Sequence, residues 1–145
     1  MNSSEEAIIL YLLVLIIILG LLFLELERSI LKDKELYQGK ENRKIFPFKI
    51  GERVYLLMLA TNEKEWTQGL MFLRKPVDFD GMIFIFPDKK IRSFWNKNTF
   101  LDLEIYWFDN EKLLGKNSLP SIEKSKKIII LTSPGPVNRV VEIIK

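Results

Sequence analysis

At 145 residues with 48% hydrophobic content, the chain is sized for one domain plus a separate apolar segment. Its 22 Lys and Arg against 19 Asp and Glu leave a net charge of +3 with the two signs mixed along the chain, which argues against nucleic acid as a partner. The absence of Cys and His excludes disulfides, thiolate nucleophiles, imidazole metal sites and Ser-His-Asp triads, so any chemistry would fall to carboxylates, Lys, Tyr or an oxygen-bound hard cation.

Ala7 to Leu24 contain no charge and no proline. As a helix this run would be about 27 Å long at about 1.5 Å per residue, close to the roughly 30 Å of a bilayer's hydrocarbon core. It exceeds a signal-peptide core, the preceding MNSSEE carries no Lys or Arg, and no small-residue cleavage pattern follows, so a retained single-pass anchor in a cell membrane is expected. The flank beyond it carries Arg28, Lys32, Lys34, Lys40, Arg43 and Lys44, which by the positive-inside rule favours the cytoplasm for the rest of the chain, a rule that weakens for long translocated domains and leaves the side open.

Glu25 to Lys49 are strongly charged, with Leu26, Ile30, Leu31 and Leu36 spaced to prolong the helix for a few turns. Gln38 to Asn42 then read as a linker and Pro47 as a stop. The expected division is a tail over 1–6, an anchor over 7–24, a stalk over 25–49 and a β-domain over 50–145.

In the β-domain, Val54 to Ala60 form a continuous apolar strand, and Asn62 with Glu65 makes a capping pattern that starts a short helix to Leu70. Trp66, Gly69 and Leu70 share one face of that helix, set against the sheet. Asp80-Gly81 is a turn, and Met82 to Phe86 a second buried strand ended by Pro87. Leu101, Leu103, Ile105 and Trp107 alternate with Asp102, Glu104, Tyr106 and Phe108 on a further strand. Weaker strands are expected over 112–117 and 127–132, and a last one over 139–144 with Val140 and Glu142 on the same side. Closely spaced short strands with one short helix predict a mainly β fold, a small jelly-roll-like sandwich or barrel.

The order GLM (Gly69 to Met71), DGMIFIFP (Asp80 to Pro87), FWNKNT (Phe94 to Thr99), the acidic strand and VVEI (Val140 to Ile143) resembles the DUF192 family of small prokaryotic β-domains with no assigned biochemical function. The resemblance covers Gly51 to Ile143 and implies a compact β-sandwich or barrel, often behind an N-terminal signal or anchor and extracytoplasmic. Asn96 stands where the family usually has Met, Asp102-Leu103-Glu104 where it has Pro-Leu-Asp, and Arg74 falls one place late.

The candidate site gathers Trp95, Lys97, Asn98, Thr99, Glu104 and Glu142, with Arg74 and Asp80 nearby, around aromatic side chains. Such a mixture suits a sugar or another polar small molecule. Equally, Asn98 and Thr99 could tie a bend, with Glu104 or Glu142 paired to Lys97 or Arg74. No motif calls for a cofactor or a metal. The functional expectation is a non-catalytic ligand-binding or protein-interaction module. The alternatives are an accessory subunit of a membrane complex and a hydrolase in which Glu104 and Glu142 face each other across a cleft.

Overall fold

The computed structural model describes residues 3–41 and 44–145. The chain divides into two units at the end of the first helix. Helix α1 (Ser3–Glu41) is unbroken, and between Ile8 and Leu31 it is long and apolar enough to cross a membrane. Its large apolar side chains there are exposed on every side of the helix. The charged segment after Leu24 is rich in Leu, Glu, Lys and Arg, all good helix formers, so the helix does not end where the apolar run ends. The segment expected as a linker is helical as far as Glu41, while Asn42 and Arg43 lie outside the described residues.

The second unit is mainly β, as the strand-rich pattern predicts. Its elements are β1 (Ile45–Ile50), β2 (Arg53–Ala60), α2 (Glu63–Gln68), β3 (Gly81–Lys90), β4 (Ser93–Trp95), β5 (Leu103–Asp109), β6 (Lys112–Leu119), α3 (Ile122–Ser125), β7 (Ile130–Thr132) and β8 (Val137–Ile144). Six strands form one mixed sheet in the order β1-β2-β3-β8-β5-β6, and β4 pairs with β7 in a separate ribbon. Only β2 and β3 are parallel in the sheet, and the crossover this demands contains α2.

Pro47, expected to stop the linker, and Pro87, expected to end a strand, both lie inside strands. Pro47 is in β1, at the edge of the sheet, where one side of the backbone needs no partner and a missing N–H is tolerated. The segment expected as stalk thus ends in a sheet strand. Pro87 lies where the β3–β8 register shifts between Ile85 and Lys90, a bulge that leaves its nitrogen without a ladder bond to make.

The two sides of the sheet carry separate cores. One is built from Met82, Phe84, Leu103, Ile105, Trp107 and Val140, with Phe94, Ile129 and Leu131 of the ribbon region packed against it. The other gathers Leu57, Ile83, Tyr106, Phe108 and Val141. The sheet curls around this second core without closing. Phe48 on β1 lies 6.3 Å edge-to-face from Phe108 on β5, although β2, β3 and β8 separate the two strands. Helix α3, capped by Ser121 through its Oγ to the Lys124 N–H, was not apparent in the sequence.

Candidate functional site

Helix α2 is fixed at its start by reciprocal bonds. Asn62 Oδ1 accepts from the Glu65 N–H at 3.1 Å, and Glu65 Oε2 accepts from the Thr61 N–H at 2.7 Å. The helix stops at Gly69, whose φ of 46° turns the chain so that Leu70 enters the core. A Cβ at Gly69 would sit 3.5 Å from Phe84 Cζ and 3.7 Å from Glu142 Oε2, so the backbone here lies directly over those two side chains.

Beneath α2 is a cleft of about 520 Å³. Its walls are aromatic: Trp66 lies 4.9 Å from Phe86, and Phe94 stands edge-on to Phe84 at 4.8 Å. The Trp66 indole N–H donates to the Ala60 carbonyl at 3.1 Å, which fixes that ring. Arg92 lies 4.0 Å over the Phe86 ring and donates to the Asp88 carboxylate and carbonyl. Its polar lining includes Gln68, Thr99 and Glu142.

Glu142 is the unusual member. It sits on β8 between Met82 of β3 and Ile105 of β5, both fully buried, and is itself only 4% exposed. A carboxylate loses several kcal/mol of hydration in such a place, and Val or Ile would fit a central strand far better.

Of the residues expected to form the site, Trp95, Thr99 and Glu142 line this cleft. The others do not. Glu104 pairs with Ile143 across β8 and therefore lies on the opposite side of the sheet from Glu142. There it accepts from the Tyr106 hydroxyl at 2.6 Å and pairs with Lys116 at 3.4 Å. The Tyr106 hydroxyl, aided by Lys116 and Lys145, holds the Glu104 carboxyl below the ordinary range, while burial and this carboxylate push the Tyr106 phenol up. Two carboxyls on opposite sheet faces cannot act on one glycosidic bond, so the hydrolase expectation is overturned.

Arg74 pairs with Glu123 at 2.8 Å and stacks on Phe100, away from the cleft. Asp80 accepts from the Leu56 N–H at 2.8 Å, where the β2–β3 crossover re-enters the sheet. Lys97 points outward over the Trp95 ring at 5.3 Å. Asn98 adopts φ 53° and offers its carbonyl to the Phe72 N–H.

Sequence reasoning passed over Asn96, which is fully buried. Its Nδ2 donates to the Pro120 carbonyl at 2.9 Å and Ser125 Oγ at 2.8 Å, and its Oδ1 accepts from the Ile129 N–H at 2.8 Å. The polar replacement of the usual Met was the available signal. Trp66, Phe84, Phe86, Gln68 and Arg92 were also passed over as lining residues, because nothing in their spacing separates a cleft wall from a core.

The DUF192 family model, described as an uncharacterized ACR, matches residues 47–145. The chain belongs to the DUF192 family. Two solved structures are similar to this DUF192 chain. One is a protein of unknown function from Novosphingobium aromaticivorans DSM 12444, 28% identical, with a TM-score of 0.58 over 69% of this chain and 73% of that one. The other, from Sinorhizobium meliloti 1021, is described as a candidate transcription regulator, and is 27% identical with a TM-score of 0.54 over 69% of this chain and 78% of that one. No curated protein matches the chain.

Proposed function

We propose that this DUF192 chain is a membrane-tethered binding module: α1 anchors it in a bilayer, and the cleft beneath α2 takes a small polar organic ligand of the sugar or polyol type. The observation that carries the reading is Glu142, a carboxylate set in the middle of a central strand at the base of an aromatic cleft. A volume of about 520 Å³ falls within the range of small-molecule sites, and their usual make-up is an apolar lining with a few polar groups. The carboxylate accepts hydroxyl hydrogens, Thr99 and Gln68 supply further donors and acceptors, and Trp66 offers a flat face to sugar C–H groups. The exposed apolar length of α1 supports the anchor.

The test is intrinsic tryptophan fluorescence of the detergent-solubilised full chain, titrated with a panel of saccharides and polyols. A saturable change is expected from one class of ligand, since Trp66 and Trp95 both line the cleft. Glu142→Gln should weaken it by about tenfold to a hundredfold, the worth of a hydrogen bond to a charged group. Glu104→Gln should leave it unchanged. Silence across the panel, or equal loss from both variants, removes the reading.

A further inference from the structure

The β4–β7 ribbon has two unlike sides. Phe94, Ile129 and Leu131 point inward onto the core. Trp95 and Ile130, directly opposite each other across the ribbon, point outward and are 43% and 61% exposed. Ser93 and Thr132 form the next outward pair, their hydroxyls 3.2 Å apart. Ile91 and Ile128, each two residues before a strand member of this row, are also exposed.

Within the ribbon and the residues flanking it the charged side chains are all basic, with acidic groups only beyond them, at Asp88 beside Arg92 and Glu123 near Lys126. Residues 91–97 and 126–132 contain Arg92, Lys97, Lys126 and Lys127 and no Asp or Glu. Among the described residues, Lys97, Lys126 and Lys127 enter no ion pair, whereas Lys116 and Lys124 elsewhere on the domain do. An exposed indole and isoleucines fringed by lysines is the combination that settles at a lipid–water boundary, the ring at headgroup depth and the ammonium groups on lipid phosphates.

We propose that the outer face of the β4–β7 ribbon docks on an anionic lipid bilayer. The inference rests on the anchoring part of the function proposed above. Given that anchor, the described helix ends at Glu41 and the sheet begins at Ile45, so the β-domain is covalently tethered to the bilayer that holds α1. A tethered face needs little affinity of its own to be mostly docked.

The chain has no cysteine, so single Cys positions can be spin-labelled cleanly. Thr132→Cys reports from the ribbon face without removing an apolar residue, and Glu52→Cys, on the β1–β2 turn, is the reference. The full chain is reconstituted into vesicles of phosphatidylcholine alone or mixed with phosphatidylglycerol, floated, and read by nitroxide collision with oxygen and with a water-soluble nickel chelate. With phosphatidylglycerol present, the Thr132 label should favour oxygen and the Glu52 label the chelate. Changing Lys97, Lys126 and Lys127 to Glu should lower the docked population about tenfold or more. A chain that fails to float with the vesicles overturns the anchoring reading and this one with it. Flotation with a Thr132 label as aqueous as the Glu52 label overturns the docking face alone. Spin–spin broadening at Thr132 would assign the face to a second copy, and protection from both reagents without lipid dependence to a protein partner; either result overturns the lipid assignment.

Discussion

Asn96 shows how one side chain substitutes for regular structure. The loop before α3, the end of α3 and the segment leading to β7 are joined to the ribbon through its amide, which extends the β4–β7 ladder beyond its last pair. Asn96→Ala would leave the part-buried Ile129 N–H and Pro120 carbonyl without that partner. We predict a loss of about 3 kcal/mol in urea unfolding, the sum expected from orphaned backbone groups. Glu104 supports a pH prediction. Its folded pKa is lowered, first by the Tyr106 hydroxyl, so the stabilisation it gives is complete above the ordinary glutamate value of 4.5 and disappears as pH falls through the lowered value. Wild type should therefore exceed Glu104→Gln in thermal midpoint at neutral pH, with the gap closing in acid. A gap that stays constant or widens in acid would show that the carboxylate is not favoured by folding. Tyr106 has the reverse sign: its raised pKa stabilises the fold below the ordinary tyrosine value of 10.0 and that contribution is lost above it.

At the scale of elements, the approach of β3 to β8 controls where Glu142 sits. A Cβ on Gly81 would fall 1.9 Å from the Glu142 carbonyl oxygen, far inside the van der Waals contact of a carbon and an oxygen. Gly81→Ala must therefore part the two strands. We predict destabilisation of about 3 kcal/mol in urea unfolding, with ligand binding lost in the fraction that still folds. How far such features can be read from sequence depends on the range of the interaction. The apolar runs of β2 and β3 and the alternation of β5 are local, and they appear as expected. The Asn62–Glu65 cap is local too, and α2 starts where it should. The order of strands is not local. That β8 lies between β3 and β5, and that Glu104 and Glu142 end up on opposite faces, follows from pairings across long stretches of chain, which no window of residues reports. The prolines mislead for a related reason: Pro47 and Pro87 read as breaks because an edge position and a bulge are properties of the sheet and not of the segment. The cleft was half legible. Trp95, Thr99 and Glu142 belong to stretches whose polar and aromatic mixture looks out of place, whereas Phe84, Phe86 and Trp66 look like any core residues.

For the molecule as a whole, the governing fact is the length of exposed hydrocarbon on α1. Its isoleucines, leucines and valine between Ile8 and Leu24 are open to their surroundings on every side, and burying each such side chain is worth about 1.5 to 3 kcal/mol. No aqueous state of the isolated helix competes with that sum, so under the proposed anchoring the chain should stay with membranes through alkaline carbonate washing. Replacing Leu15 and Ile16 together by Lys, each costing about 3 kcal/mol near the bilayer centre, should release a substantial fraction. Arg28, Lys32, Lys34 and Lys44 follow the apolar run, and if flanking charge sets the orientation of the proposed anchor, the domain is expected on the cytoplasmic side. Glu52→Cys should then react with an impermeant maleimide in inverted membrane vesicles and stay protected in right-side-out ones. Changing the basic flank to Gln should make both preparations reactive, because the orienting charge would be gone. Labelling confined to right-side-out vesicles would place the domain outside the cell and would mean that something other than flanking charge sets its orientation.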